Sequence, residues 1–196
     1  AGFLDTYLTH ANDQKARLSL MTNSITHRGP DGCGAWVDTE AGIALGHRRL
    51  AILDLSPQGH QPMTSSSGRY VIVFNGEIYN HLALRNELEN SHSLQLSALG
   101  ENRVASWRGH SDTEVMLEAF EQWGVQGVLS RFNGMFAFAL WDTQSRVLHL
   151  ARDRFGEKPL YYGWMDNVFL FGSELKALKA HPAWRGEIDR GALALY

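Results

Sequence analysis

The chain is poor in the features that most quickly narrow a function. It has one cysteine, Cys33, in 196 residues. That excludes an intrachain disulfide framework and suits a reducing compartment. Five prolines stand against nineteen glycines, the balance of a turn-rich chain with many strands. The longest apolar run is Met135 to Trp141, far short of the ~20 residues that a membrane-crossing helix needs. A basic region followed by an apolar one, the mark of a signal peptide, is missing at the start. These absences lead us to expect a cytoplasmic protein with no membrane partner. Neither sign of charge dominates: a net charge of −3 gives no electrostatic reason to bind nucleic acid. Nine histidines are scattered without an HExxH pair or a Cys/His cluster, so no metal site is expected. A P-loop and a GxGxxG turn are absent too, so no nucleotide cradle is legible.

What is present is a succession of short elements. Gly2 to Asp5 is a short apolar stub. Asn12 to Thr26 carries Ala16, Leu20 and Met21 at helical spacing. His27 to Gly34 is a Gly/Pro loop. Ile43–Leu45 and Leu50–Leu55 read as short strands. A β-branched and aromatic strand from Arg69 to Phe74 stops at Asn75-Gly76, and Asn80 can cap a helix from His81 to about Leu88. The polar, aperiodic stretch from Asn90 to Arg108 reads as an irregular insertion. Ser111-Asp112-Thr113-Glu114 is a capping box opening a helix that stops near Gly124. Two hairpins follow, Gly134–Trp141 with Val147–Ala151 and Leu160–Trp164 with Val168–Phe171. Ser173 caps a last short helix, Glu174 to Lys179. Locally paired strands make largely antiparallel sheets, and helices covering them make an α+β layered domain.

Four places could carry chemistry, and each has a plainer structural reading. Val71 to Glu77 delivers an amide, a glycine and a carboxylate to the end of a buried strand. Asn75 Nδ2 and the Gly76 N–H could form an oxyanion hole, but Asn-Gly is also the strongest short signal of a type I′ turn, and spacing alone favours the turn. Arg48 and Arg49 could fork a carboxylate, or decorate a basic edge strand, the commoner case. Asp112 could bind an ammonium, or simply favour its helix N-terminus. Arg28-Gly29-Pro30-Asp31-Gly32 is a turn by composition, in which Arg28 and Asp31 could pair. Cys33 lacks a histidine at a known spacing and reads as an inert thiol.

In order, these segments resemble the amidotransferase domain of asparagine synthetase. The likeness runs through Arg28-Gly29-Pro30-Asp31-Gly32, Gly46-His47-Arg48-Arg49-Leu50-Ala51-Ile52 and Gln61-Pro62-Met63. It continues in Phe74-Asn75-Gly76-Glu77-Ile78-Tyr79-Asn80, Ser111 to Glu114, Asn133 to Phe138, Arg152 to Gly156 and Ser173 to Leu178. The resemblance implies a class II glutamine amidotransferase with the N-terminal-nucleophile hydrolase fold, an αββα sandwich of two stacked, mainly antiparallel sheets between helical layers. It implies that Arg49 binds the α-carboxylate of L-glutamine, Glu77 and Asp112 bind its α-ammonium, and Asn75 and Gly76 donate to the oxyanion. Residues 1–180 would form the glutaminase domain, and 181–196 a linker or the start of a C-terminal synthetase domain of the same polypeptide. No cofactor is implied here, whereas ATP and Mg²⁺ belong to that second domain, which makes asparagine from aspartate. Whether the protein pairs as a homodimer is left open.

One departure matters. Members of this family begin, after the initiator Met, with Cys-Gly-Ile followed by a segment like Ala1-Gly2-Phe3. That cysteine supplies the attacking thiol, and its α-amine, titrating near ~7.7–8.0, is the base. The polypeptide starting at Ala1 is therefore expected to lack glutaminase activity. Two alternatives stand beside this reading: a non-catalytic amidotransferase-like module that binds an amino acid or scaffolds a synthetase, and another class II amidotransferase.

Overall fold

Two antiparallel sheets lie face to face between helices in a computed structural model. It describes residues 1–7, 11–50, 59–98, 107–187 and 190–195, with Ala11, 92–98 and Ala192 described by backbone alone. The first sheet has the order β2(Gly32–Asp38)-β3(Ile43–Arg49)-β1(Gly2–Asp5)-β9(Val168–Gly172)-β8(Tyr161–Met165). The second has the order β4(Met63–Thr64)-β5(Tyr70–Ile78)-β6(Gly134–Asp142)-β7(Val147–Arg152). Helices α1(Ala11–Ser24), α2(His81–Ala98), α3(Asp112–Leu129), α4(Leu175–Lys179) and α5(Arg190–Ala194) complete the described elements, with a one-turn 3-10 helix at Thr26–Arg28.

Strand alternation divides the core into three. Ile43, Leu45, Val71, Val73, Trp141 and Phe171 meet between the sheets. Their neighbours in sequence point the opposite way, as a period of two requires. Phe3, Ala44 and Leu170 face Leu18 and Met21 of α1 and Ala177 of α4. Ile72, Phe74, Phe138 and Leu140 face Leu84 of α2 and Phe120 of α3. The expected αββα sandwich is thus realised.

Several elements differ from the sequence reading. The stub Gly2–Asp5 is the central strand of its sheet, paired with β3 on one side and β9 on the other. Gly32–Gly34 leave the Gly/Pro loop to begin β2. Helix α1 buries Leu18 and Met21, whereas Leu20 is half exposed. Leu50 lies just past the end of β3, and the rest of the strand expected over Leu50–Leu55 falls outside the described residues. Helix α2 runs on to Ala98, so residues 90–98 of the expected insertion are helical, while 99–106 lie outside the described residues.

The caps differ as well. Asn80 does not cap α2 through its side chain. It bonds the Arg131–Asn133 segment instead, donating to the Arg131 carbonyl at 2.9 Å and accepting from Asn133 N at 3.0 Å. Ser111 does cap α3, its hydroxyl accepting from Glu114 N at 3.3 Å. Glu114 is buried and accepts from Arg108 N and Gly109 N instead. At Gly124, where a stop is expected, φ of 67° and ψ of 166° are not helical: the first helical segment of α3 ends there, and a second runs on to Leu129. Helix α4 begins after Glu174 rather than Ser173, with no side-chain cap. His181 is buried and packs against the Phe3 ring at 4.8 Å.

Candidate active site between the sheets

The largest correction falls on Asn75-Gly76, which form no turn. Strand β5 runs straight through them, with Asn75 opposite Ala137, Gly76 opposite Phe136 and Glu77 opposite Met135. Gly76 is extended with φ of 153°, a region that disfavours side chains, and a Cβ there would lie 2.1 Å from the Met135 carbonyl oxygen. Glycine is thus required by a close strand approach, not by a hairpin.

The strand's alternation aims its functional groups. Asn75 and Glu77 share a face with Val71 and Val73, the face toward the other sheet. On β3, His47 and Arg49 share the inward face of Ile43 and Leu45. The two strands are tied across the sandwich where His47 Nε2 meets the Phe74 carbonyl at 3.2 Å. Because a carbonyl only accepts, His47 must carry its proton on Nε2. Burial pushes its imidazole down to about 4. Strand β3 is flanked by β2 and β1, so the basic-edge-strand reading of its arginines fails. Arg48 faces outward, its Nε donating to the Thr22 carbonyl at 3.1 Å and its Nη2 to Asn23 Oδ1. That leaves Arg49 as the arginine on the cleft side. The Arg28–Gly32 loop packs on it: Asp31 N donates to the Arg49 carbonyl at 3.1 Å, and a Cβ on Gly29 would lie 2.4 Å from the Arg48 carbonyl carbon. Arg28 pairs with Glu174 at 3.2 Å rather than with Asp31.

Asp112 opens α3 and sits beside the end of β5. Its Oδ2 accepts from Ile78 N at 3.0 Å and its Oδ1 from Thr113 N at 2.8 Å. Burial raises its pKa, and the nearby Glu77 charge raises it further, against the two N–H donors. The Glu77 charge beside a desolvated Asp112 carboxylate favours a cationic partner.

A small cleft opens between the sheets, lined by Ala1, His47, Phe74, Asn75, Ala137 and Ser173 among others. Asn75 Nδ2 is buried there without a hydrogen-bond partner among the described residues. A buried amide donor left unpaired costs ~1–3 kcal/mol, and this one points into a cleft where a ligand oxygen could satisfy it. Arg49, Gly76, Glu77 and Asp112 are not in the cleft's lining. Arg49 and Glu77 stand two residues beyond His47 and Asn75 on the inward faces of their own strands, with Asp112 beside Glu77. Cys33 is an exposed free thiol on β2. Sequence reasoning missed His47 and Ala1 as cleft residues; neither has a local signal, since both enter through sheet pairing. Among the described residues no cluster of three or more His, Cys, Asp or Glu could hold a metal ion, and no helix is long and apolar enough to cross a membrane.

Comparison with known proteins places this site in context. A family model described as a glutamine amidotransferase domain matches residues 1–196. The chain is 38% identical over 188 residues to asparagine synthetase (glutamine-hydrolysing) 3 of Bacillus subtilis, covering 92% of this chain and 27% of that protein. It is 39% identical to the putative asparagine synthetase (glutamine-hydrolysing) of Mycobacterium tuberculosis, covering 94% of this chain and 28% of that protein. The chain thus spans little more than a quarter of the length of these curated relatives. Among solved structures, the glutamine phosphoribosylpyrophosphate amidotransferase of Bacillus subtilis, complexed with ADP and GMP, superposes with a TM-score of 0.67. That match covers 85% of this chain and 41% of the other at 21% identity, and it supports the N-terminal-nucleophile hydrolase fold. The chain belongs to the glutamine amidotransferase domain family, with asparagine synthetases among its relatives.

Proposed function

We propose that this domain hydrolyses the side-chain amide of L-glutamine and releases ammonia within a longer cytoplasmic protein. The observation that carries the reading is the unpartnered, buried Asn75 Nδ2 in the cleft, one residue from the Gly76 N–H. Two neutral donors suit a carbonyl oxygen that gains negative charge, and removing such a donor typically costs ~10²–10³ in kcat. The charges around them match an amino-acid zwitterion. Arg49 pairs with the α-carboxylate, and Glu77 and Asp112 with the α-ammonium, whose arrival favours the ionised form of Asp112.

The nucleophile is the thiol of a cysteine three positions ahead of Ala1, in Cys-Gly-Ile. Strand register supports this placement. Ala1 pairs with Gly46: its nitrogen donates to the Gly46 carbonyl at 2.9 Å, and Gly46 N donates to the Ala1 carbonyl at 2.8 Å. Counting back along the antiparallel ladder, the residue three before Ala1 stands opposite Arg49. It has the parity of Gly2, whose missing Cβ would meet the Phe171 ring between the sheets. A side chain there faces the cleft. The thiolate attacks the amide carbon, and the cysteine's α-amine takes the thiol proton and returns it to the departing ammonia. Water then hydrolyses the glutamyl thioester to glutamate. In keeping with the relatives' names, the ammonia serves asparagine formation from aspartate, with ATP and Mg²⁺, in a synthetase domain outside this chain.

The test compares ammonia release from glutamine by the 1–196 polypeptide and by the same chain preceded by Cys-Gly-Ile with a free amine. The extended chain is expected to turn over and the 1–196 polypeptide not to. A folded extended chain without turnover, or turnover by the 1–196 polypeptide, contradicts the proposal.

A further inference from the structure

The free side of β5 carries an unassigned residue. Even-numbered residues of β5 turn their backbone groups toward β4: Ser65 N donates to the Tyr70 carbonyl at 2.8 Å, and Tyr70 N to Ser65 Oγ at 3.0 Å. Odd-numbered neighbours turn toward β6, as when Tyr79 N donates to the Asn133 carbonyl at 2.8 Å. Strand β4 ends at Met63, opposite Ile72, so among the described residues the even N–H groups beyond Ile72 have no strand to bond. Side chains take over. Phe74 N donates to Gln61 Oε1 at 2.6 Å, and Ile78 N to Asp112 Oδ2 at 3.0 Å. Between them, the Gly76 N–H has no such partner among the described residues.

We propose that Gln61 is a positioning residue for the oxyanion donors, an inference that rests on the glutaminase reading above. Its side chain replaces the missing strand at Phe74, immediately before Asn75. The Gln61 main chain has moved off to lie against β2, where a Cβ on Gly34 would come within 1.9 Å of the Gln61 carbonyl oxygen. Its other end, Nε2, reaches Thr113 Oγ1 at 3.4 Å, immediately after Asp112. Gln61 is buried at 7% exposure, so water does not compete for these bonds. One side chain thereby ties the strand bearing Asn75 and Gly76 to the helix that begins at Asp112. The Gly76 N–H stays aimed and open because the N–H groups on both sides of it are occupied.

The test uses the chain preceded by Cys-Gly-Ile. Gln61→Met keeps the length but removes the acceptor, and Gln61→Glu restores it. Misplacement of a catalytic group by ~1 Å can cost ~10² in rate, so Gln61→Met should lower kcat about 30-fold or more, with KM for glutamine within about 3-fold. Gln61→Glu should return kcat to within about 5-fold of the parent. If Gln61→Met does not fold, Gln61→Asn, which withdraws the same oxygen by one methylene, is read the same way. A kcat that stays within about 3-fold in Gln61→Met overturns the proposal, as does Gln61→Glu being as impaired as Gln61→Met. Hydrogen exchange on the 1–196 polypeptide is the readout independent of activity. Gln61→Met should speed exchange at Phe74 at least ~10-fold while leaving Ile72 unchanged, and unchanged Phe74 protection overturns the proposal. A parent that releases no ammonia refutes the glutaminase reading instead, and exchange then decides the role of Gln61 alone.

Discussion

Asn75 differs from most buried side chains in that its amide donor finds no hydrogen-bond partner among the described residues. A group retained for stability would be paired, so its removal should spare stability and strike catalysis. In the chain preceded by Cys-Gly-Ile, Asn75→Ala is expected to lower kcat for glutamine hydrolysis by ~10²–10³. The melting temperature should hold or rise, because an unpaired buried donor is lost. Calorimetry and an ammonia assay on one preparation check both. A second residue-scale prediction concerns pH. Burial lowers both His47 and His181 from 6.5 to about 4. Between these values the unfolded chain binds protons that the folded chain refuses, so the histidines' contribution is full above pH ~6.5 and is lost as pH drops toward ~4. His47→Gln should flatten that slope in urea midpoints measured across the window, with His181 and the buried Ala1 amine, which burial lowers to about 5, keeping the rest. Residue types alone revealed Arg49, Asn75, Glu77 and Asp112 as candidates, since zwitterion recognition needs a cation, carboxylates and neutral donors. They did not separate Arg48 from Arg49 by physics. Only the strand's alternation does that, sending Arg48 to α1 and Arg49 to the opposite face of β3.

At the scale of elements, hairpins were legible and isolated pairings were not. The pairs β6–β7 and β8–β9 carry apolar strands joined by turn residues, a local signal. Asp142 secures the first turn, accepting from Gln144 N at 3.0 Å and Ser145 N at 3.2 Å. Strand β2 lies in a sequence of glycine and small residues whose partner, β3, supplies the order, so no run of β-formers marks it. Helix α2 extends through a polar stretch because Leu84 and Leu88 anchor one face on the core, and helicity propagates more readily than it nucleates. Asn75-Gly76 misled because the signal for a turn is identical to the signal for a strand needing a glycine at a close approach. Gly76→Ala tests that account. With φ at 153° and a Cβ 2.1 Å from the Met135 carbonyl oxygen, the substitution should cost ~2 kcal/mol or more in urea unfolding. A hairpin turn at this position would predict no clash with β6.

Across the whole molecule, the layered class followed from strands and helices in alternation, but the assembly rests on a contact no local pattern foretells. The first strand lies at the centre of its sheet, joined to β9 near the other end of the chain. That pairing brings Ala1 to the cleft beside His47 and Asn75. The second sheet is held to its helices by Phe120, fully buried, with Phe132 at 5.9 Å and Phe138 at 5.5 Å in edge-to-face contact. Phe120→Ala should therefore cost ~3–5 kcal/mol in equilibrium unfolding. The most direct measurement of the central claim is a crystal structure of the chain preceded by Ala-Gly-Ile, which cannot form a thioester, soaked with glutamine. The account predicts the α-carboxylate on Arg49, the α-ammonium between Glu77 and Asp112, and the amide oxygen within hydrogen-bond reach of Asn75 Nδ2 and Gly76 N. Glutamine bound elsewhere, or an Arg49 guanidinium directed away from it, would contradict the account.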